Sequence, residues 1–98
     1  MPSFRLSAKA KSDIKRIARF TERRWGRGQR NHYLSELDCT FRQLAENVSI
    51  GVACDHIRPG YRKFPMGSHM IFYRRHDSKF IDIIRVIHKH MDVSAIPF

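Results

Sequence analysis

Three runs of strand-forming residues follow one another in the second half of the chain: 61–64, 68–75 and 80–89. Pro65 and Gly67 mark the first turn, and His76-Asp77-Ser78-Lys79 make the second. Consecutive strands joined by tight turns read as a meander. Its last member is apolar on both sides, with Phe80, Ile84 and Val86 on one face and Ile81, Ile83 and Ile87 on the other. That pattern belongs to an interior strand. Yet Arg85 stands between Ile84 and Val86, and His88 follows at the strand's end. Burying a charge is costly unless it is paired or reaches water. A functional surface is therefore expected in this C-terminal third.

The first half changes period. Phe4 to Leu6 reads as a short strand, and Ser7 is placed to cap a helix whose Ala10, Ile14, Ile17, Ala18, Thr21 and Trp25 form one stripe. Lys9, Ser12, Arg16, Arg19 and Arg23 fall on its other face. Gly26 and Gly28 break it. A second helix is expected from about Gln29 to Asn47, with Tyr33, Leu34, Leu37, Phe41, Leu44, Ala45 and Val48 on a wider apolar face. Residues 48–60 read as a loop. The order is β-α-α-β-β-β: an α+β fold with an antiparallel helical hairpin packed on one face of a small, mostly antiparallel sheet.

At 98 residues the chain has room for one domain, spanning 1–98, and one core. Hydrophobic residues make up 42%, too many for a disordered chain. Nineteen Lys and Arg against nine Asp and Glu leave a formal charge of +10, so anionic partners are the natural ones. Cys39 and Cys54 make no disulfide framework, and neither lies in a motif that would activate a thiol. With no signal peptide and no apolar run long enough to span a bilayer, the expectation is a reducing cytoplasm and no membrane partner.

The chain resembles the ParE-type toxins of the RelE/ParE superfamily over nearly its full length. The resemblance rests on Ala10-Lys11-Ser12-Asp13-Ile14, Trp25-Gly26-Arg27-Gly28-Gln29, Leu44-Ala45-Glu46-Asn47 and Gly51. It rests above all on Ile57-Arg58-Pro59-Gly60-Tyr61-Arg62, on 67–74, and on Ile84-Arg85-Val86-Ile87-His88-Lys89-His90-Met91-Asp92. The order and spacing of these segments together are specific. The resemblance implies the toxin of a type II toxin–antitoxin pair in a bacterium, with DNA gyrase as target and a ParD-like antitoxin as neutraliser. It departs modestly at Val86-Ile87-His88, where family members often have aliphatic-Leu-His.

The superfamily also contains ribosome-dependent mRNA endonucleases of the RelE kind, so the residues must distinguish the two activities. Cleaving RNA through its 2′-hydroxyl needs a base, an acid and cations around one phosphate. Arg62, Arg74 and Arg85 supply cations, His88 titrates near neutrality, and Tyr73 and Asp82 are further candidates. Residues 93–98, however, offer no titratable side chain, and no carboxylate lies between His56 and His76. The reading favoured is a non-catalytic gyrase poison, whose target-binding surface comprises Arg58, Arg62, Arg74, Arg85, His88 and Met91.

Several bland readings stand beside this one. His88 serves equally well as a satisfied structural histidine. Arg85 is read as functional because the strands offer it chiefly Asp82 as an acid, and alternation places Asp82 on the same strand face as His88. His88 and His90 share a face but lack a third ligand, so no metal and no cofactor are expected. Arg16, Arg19 and Arg23 make a solvated helix face or, with the outward-facing Phe20, an antitoxin contact in which charge speeds association and apolar pockets anchor a partner helix. Direct nucleic-acid binding by this face ranks third, behind gyrase poisoning and RNA cleavage, and is not favoured.

Overall fold

The computed structural model describes residues 3–98. Strand β1 (Ser3–Leu6) leads into helix α1 (Ala8–Trp25), which is followed by helix α2 (Arg27–Glu46). A 3₁₀ turn (Val48–Ile50) and a two-residue strand β2 (Val52–Ala53) precede β3 (Tyr61–Met66), β4 (His69–Arg75) and β5 (Phe80–His88). A second 3₁₀ turn covers Val93–Ala95. The five strands lie in the order β1-β5-β4-β3-β2, with β1 parallel to β5 and every other pair antiparallel. The expected α+β architecture is what forms, with β2 as an addition inside the expected 48–60 loop.

Ser7 caps α1 as its position suggests, its Oγ accepting from the Ala10 amide at 3.0 Å. Gly26 alone divides the two helices. Its φ of +90° suits a residue without Cβ, and it ends α1 and starts α2 at once. Gly28 does not break anything: it lies in the first turn of α2, where an amide has no intrahelical partner to lose. Pro65 falls inside β3 rather than in a turn. β2 pairs only with Arg62 and Lys63, so Pro65 sits on an open edge that needs no donor from it.

Two apolar clusters occupy the two faces of the sheet. Under the helices, Leu37, Phe41 and Leu44 meet Ile71, Tyr73, Ile81, Ile83 and Val86, with Phe4 and Leu6 of β1 packed alongside. On the other face, Cys54, Tyr61, Phe72, Ile84 and Ile87 are covered by Val93, Ile96 and Phe98 of the C-terminal tail. The Phe98 ring stands edge-on to Tyr61 and Phe72, at 5.9 and 5.1 Å between centroids.

A bulge in β5 changes its face assignments. Phe72 pairs with Arg85 while Tyr73 pairs with Ile83, so Ile84 is an extra residue. Alternation is reset there. Val86 therefore joins Ile81 and Ile83 beneath the helices, and Ile84 joins Ile87 on the far face. The expected grouping of Ile84 with Val86, and of Ile83 with Ile87, is corrected accordingly. β5 is also an interior strand only in part, because β1 ends opposite Ile83. Beyond that point α1 covers the β5 edge, with Ser7 Oγ donating to the Ile84 carbonyl at 2.7 Å and Asp13 accepting from the Val86 amide at 3.0 Å.

Trp25 departs from its expected place on the buried stripe. The stripe that forms is Ala10, Asp13, Ile17 and Thr21; Trp25, at the hairpin tip, is 66% exposed, with the Arg24 guanidinium 5.7 Å from its ring centre.

Candidate functional site: a groove beside the last strand

Where α1 crosses the end of β5, a groove of about 440 Å³ opens. Its floor is apolar, with Ile17, Val86 and Ile87, and its rim carries Arg16, Phe20, Trp25, His88 and Met91. Phe20 and Met91 are 63% and 51% exposed, unusual for large apolar side chains sharing one depression. A second hollow, of about 270 Å³, adjoins it on the outer face of α1 and is lined by Arg16, Arg19, Phe20 and Arg23. These four recur at helical spacing. The structure thus brings together the whole set expected to meet an antitoxin.

Beneath the groove Asp13 is buried, 1% exposed, and holds Arg85, itself 9% exposed. Arg85 Nε donates to Asp13 Oδ2 and Nη2 to Oδ1, both at 2.8 Å. Its remaining Nη1 donates to the Pro97 carbonyl. Hydrogen bonding to Asp13 holds the guanidinium even more firmly protonated than usual, against the opposing effect of burial. The expectation that Arg85 finds only Asp82 as an acid is corrected. Its acid comes from α1, and its donors are spent inside the fold rather than offered on a surface.

Asp82 and His88 do not share a face, because the bulge lies between them. Asp82 is on the side away from the helices, 3.3 Å from Arg5, 3.5 Å from Arg74 and 3.3 Å from the His76 ring. His88 faces the groove and pairs across the sheet with His69, ring centroids 5.9 Å apart. His69 Nδ1 lies 2.6 Å from the Tyr33 hydroxyl. Burial, reinforced by His88, pushes the His69 imidazole below its ordinary range; burial pushes the Tyr33 phenol up. The pair is thereby held neutral around physiological pH, with Tyr33 able to donate to His69.

The remaining expected target contacts are dispersed. Arg58 is exposed in the loop before β3. Arg62 lies on the helix side, donating to the Gly51 carbonyl at 2.7 Å. Arg74 pairs with Tyr61 across the strands and points to the opposite side. Only His88 and Met91 of the expected target set meet in the groove, and they do so beside Arg16 and Phe20 of the antitoxin set. Asp13, Tyr33 and His69 were not among the expected site residues. Asp13 had a readable signal: a carboxylate at the Ala10–Asp13–Ile17 spacing lies on the buried stripe and requires a buried cation. Among the described residues no group of three His, Cys, Asp or Glu is placed to hold a metal ion, and no helix is long and apolar enough to cross a membrane.

Residues 4–93 match the family described as the ParE toxin of the type II toxin–antitoxin system parDE. Toxin ParE1 of Mycobacterium tuberculosis is 47% identical over 88 residues, 90% of each chain. Toxin ParE1 of Caulobacter vibrioides is 39% identical over 95 residues, 97% of each. Among solved structures, the chromosomal ParDE system of P. aeruginosa aligns with a TM-score of 0.73 at 19% identity, covering 90% of this chain and 96% of that one. The RelBE2 toxin–antitoxin complex of Mycobacterium tuberculosis aligns at 0.64 and 17%, covering 91% and 100%, and so shares the fold. With the match running from β1 to the last 3₁₀ turn, the chain belongs to the ParE family of toxins of type II toxin–antitoxin systems.

Proposed function

We propose that this toxin poisons DNA gyrase as a binding protein, so that cleaved DNA accumulates, and that a ParD-like antitoxin holds it inactive. The observation that carries the non-catalytic reading is the dispersal of the three strand arginines. Phosphodiester cleavage needs its cations, base and acid gathered around one phosphorus. Here Arg62 and Arg74 lie on opposite sides of the sheet, and Arg85 is held by Asp13 and Pro97. Arg58, Arg74, His88 and Met91 stay exposed and are the proposed gyrase contacts, together with Arg62, which is half-buried on the helix side.

For the antitoxin, the proposed seat is the groove and the Arg16, Arg19, Phe20, Arg23 face. An acidic amphipathic segment would place carboxylates on the guanidinium groups and aliphatic side chains over Ile17 and Val86. One observation favours the alternative, a RelE-kind ribonuclease: the groove gathers Tyr33, His69, His88 and Arg16. Against it, Tyr33 and His69 satisfy each other, and Asp13, the carboxylate nearest them in the groove lining, is committed to Arg85. Purified toxin with gyrase and supercoiled plasmid tests the proposal, scored for ATP-dependent cleavage complexes beside translating ribosomes scored for mRNA cuts. Cleavage complexes with intact mRNA are expected; cut mRNA with untouched gyrase would overturn the reading.

A further inference from the structure

The outer face of α1 carries more chemistry than a charged helix needs for solubility. Arg19 and Arg23 make no ion pair among the described residues, while both acids of α1 are engaged. Glu22 serves Arg27 and Arg30, and Asp13 serves Arg85. Arg16 also reaches Asp13, but two guanidinium groups on one carboxylate still leave a net positive charge. Phe20 stands exposed among these cations, and the exposed Trp25, at the groove side of the helix end, shares the groove with Phe20 and Arg16.

We infer that this face and the adjoining groove edge form a contact for single-stranded nucleic acid, with Arg16, Arg19 and Arg23 on phosphates and with Phe20, and Trp25 on the groove side, stacking on unpaired bases. Cations that follow a backbone beside aromatic rings that accept any base are the usual means of holding single strands. An acidic peptide would use the guanidinium groups but has no planar bases for the two rings. A second copy of this chain would set like charges against each other, since the chain carries +10.

The inference goes beyond the gyrase reading and does not depend on it, since no gyrase is needed for the contact. An antitoxin seated on the same face would exclude the strand.

Fluorescence anisotropy of the full chain with a labelled single-stranded oligothymidine tests the contact. A duplex of equal length and polyglutamate of matched charge serve as comparisons. Three phosphate contacts predict a log–log salt slope of about −2, and Arg19→Ala or Arg23→Ala each reduces its magnitude by about 0.7. Phe20→Ala and Trp25→Ala should each weaken binding at least about five-fold with the slope unchanged. All four positions are exposed, so unchanged thermal midpoints are expected for the variants. Equal affinity for single strand and duplex, displacement by polyglutamate as readily as by oligothymidine, or unaltered binding after loss of both rings would each overturn the inference.

Discussion

Asp13 and Arg85, 72 positions apart in the chain, form a two-pronged buried ion pair that fastens the first helix to the last strand. The same carboxylate accepts the Val86 amide at 3.0 Å, filling the edge position that β1 leaves empty. Removing one partner strands the other charge in a site with little water. Asp13→Ala should therefore cost about 3–5 kcal/mol in urea unfolding. Replacing both, as Asp13→Leu with Arg85→Met, should recover part of that, leaving about 1–3 kcal/mol for the orphaned Val86 amide. A double variant no more stable than Asp13→Ala alone would contradict the assignment.

Tyr73 supports the far side of the helical layer. Its hydroxyl donates to the Val48 carbonyl at 2.6 Å and accepts from the Gly51 amide at 2.9 Å. A Cβ on Gly51 would lie 2.1 Å from that oxygen, and the fully buried ring has nowhere to swing. Gly51→Ala should lose about 2–4 kcal/mol through overpacking and a broken hydrogen bond. Tyr73→Phe should lose about 1–3 kcal/mol. Because Phe removes the atom that Ala strikes, the two losses should be less than additive in a double-variant cycle.

How much of this was legible beforehand depended on whether a signal was periodic or relational. The helix stripes apart from Trp25, the Ser7 cap and the two hairpin turns, with Pro65 drawn into β3, are local patterns, and they appear where the spacing puts them. The β5 bulge is not a local pattern. One extra residue near Ile84 reverses the face of everything after it, and alternation alone therefore paired Asp82 with His88 wrongly. Arg85 was misread for a related reason. Its partner lay on a different element, though Asp13 on an apolar stripe and Arg85 in an apolar strand are two halves of one clue. The groove depends on how α1 crosses the sheet end, which no single segment specifies.

Acid should weaken the fold before carboxylates titrate. The folded state holds the His69 imidazole below its ordinary value of 6.5, so the unfolded chain takes up a proton first as pH falls. The stability this neutral imidazole contributes is complete above 6.5 and is lost as pH falls through the lower folded value. His88, Tyr33, Arg16 and Asp13 face it across the groove. Urea midpoints should decline from pH 7.5 to pH 5, and His69→Gln should flatten the decline. An equal decline in that variant would assign the effect elsewhere.

The C-terminal tail covers the far face of the sheet, and Phe98 is its anchor. Phe98→Ala should uncover Phe72 and Tyr61 and cost about 1–3 kcal/mol, less than a fully buried phenylalanine because the ring is only half-buried. The loss should appear in unfolding midpoints with increased binding of an apolar dye.

A stoichiometric titration tests most directly whether this toxin acts by occupancy. Increasing amounts of toxin are added to a fixed concentration of gyrase with supercoiled plasmid and ATP, and trapped cleavage complexes are counted against toxin added. Action by binding predicts a rise that saturates once toxin matches its sites on gyrase. Transcripts severed in molar excess over toxin, with gyrase unaffected at saturation, would contradict it.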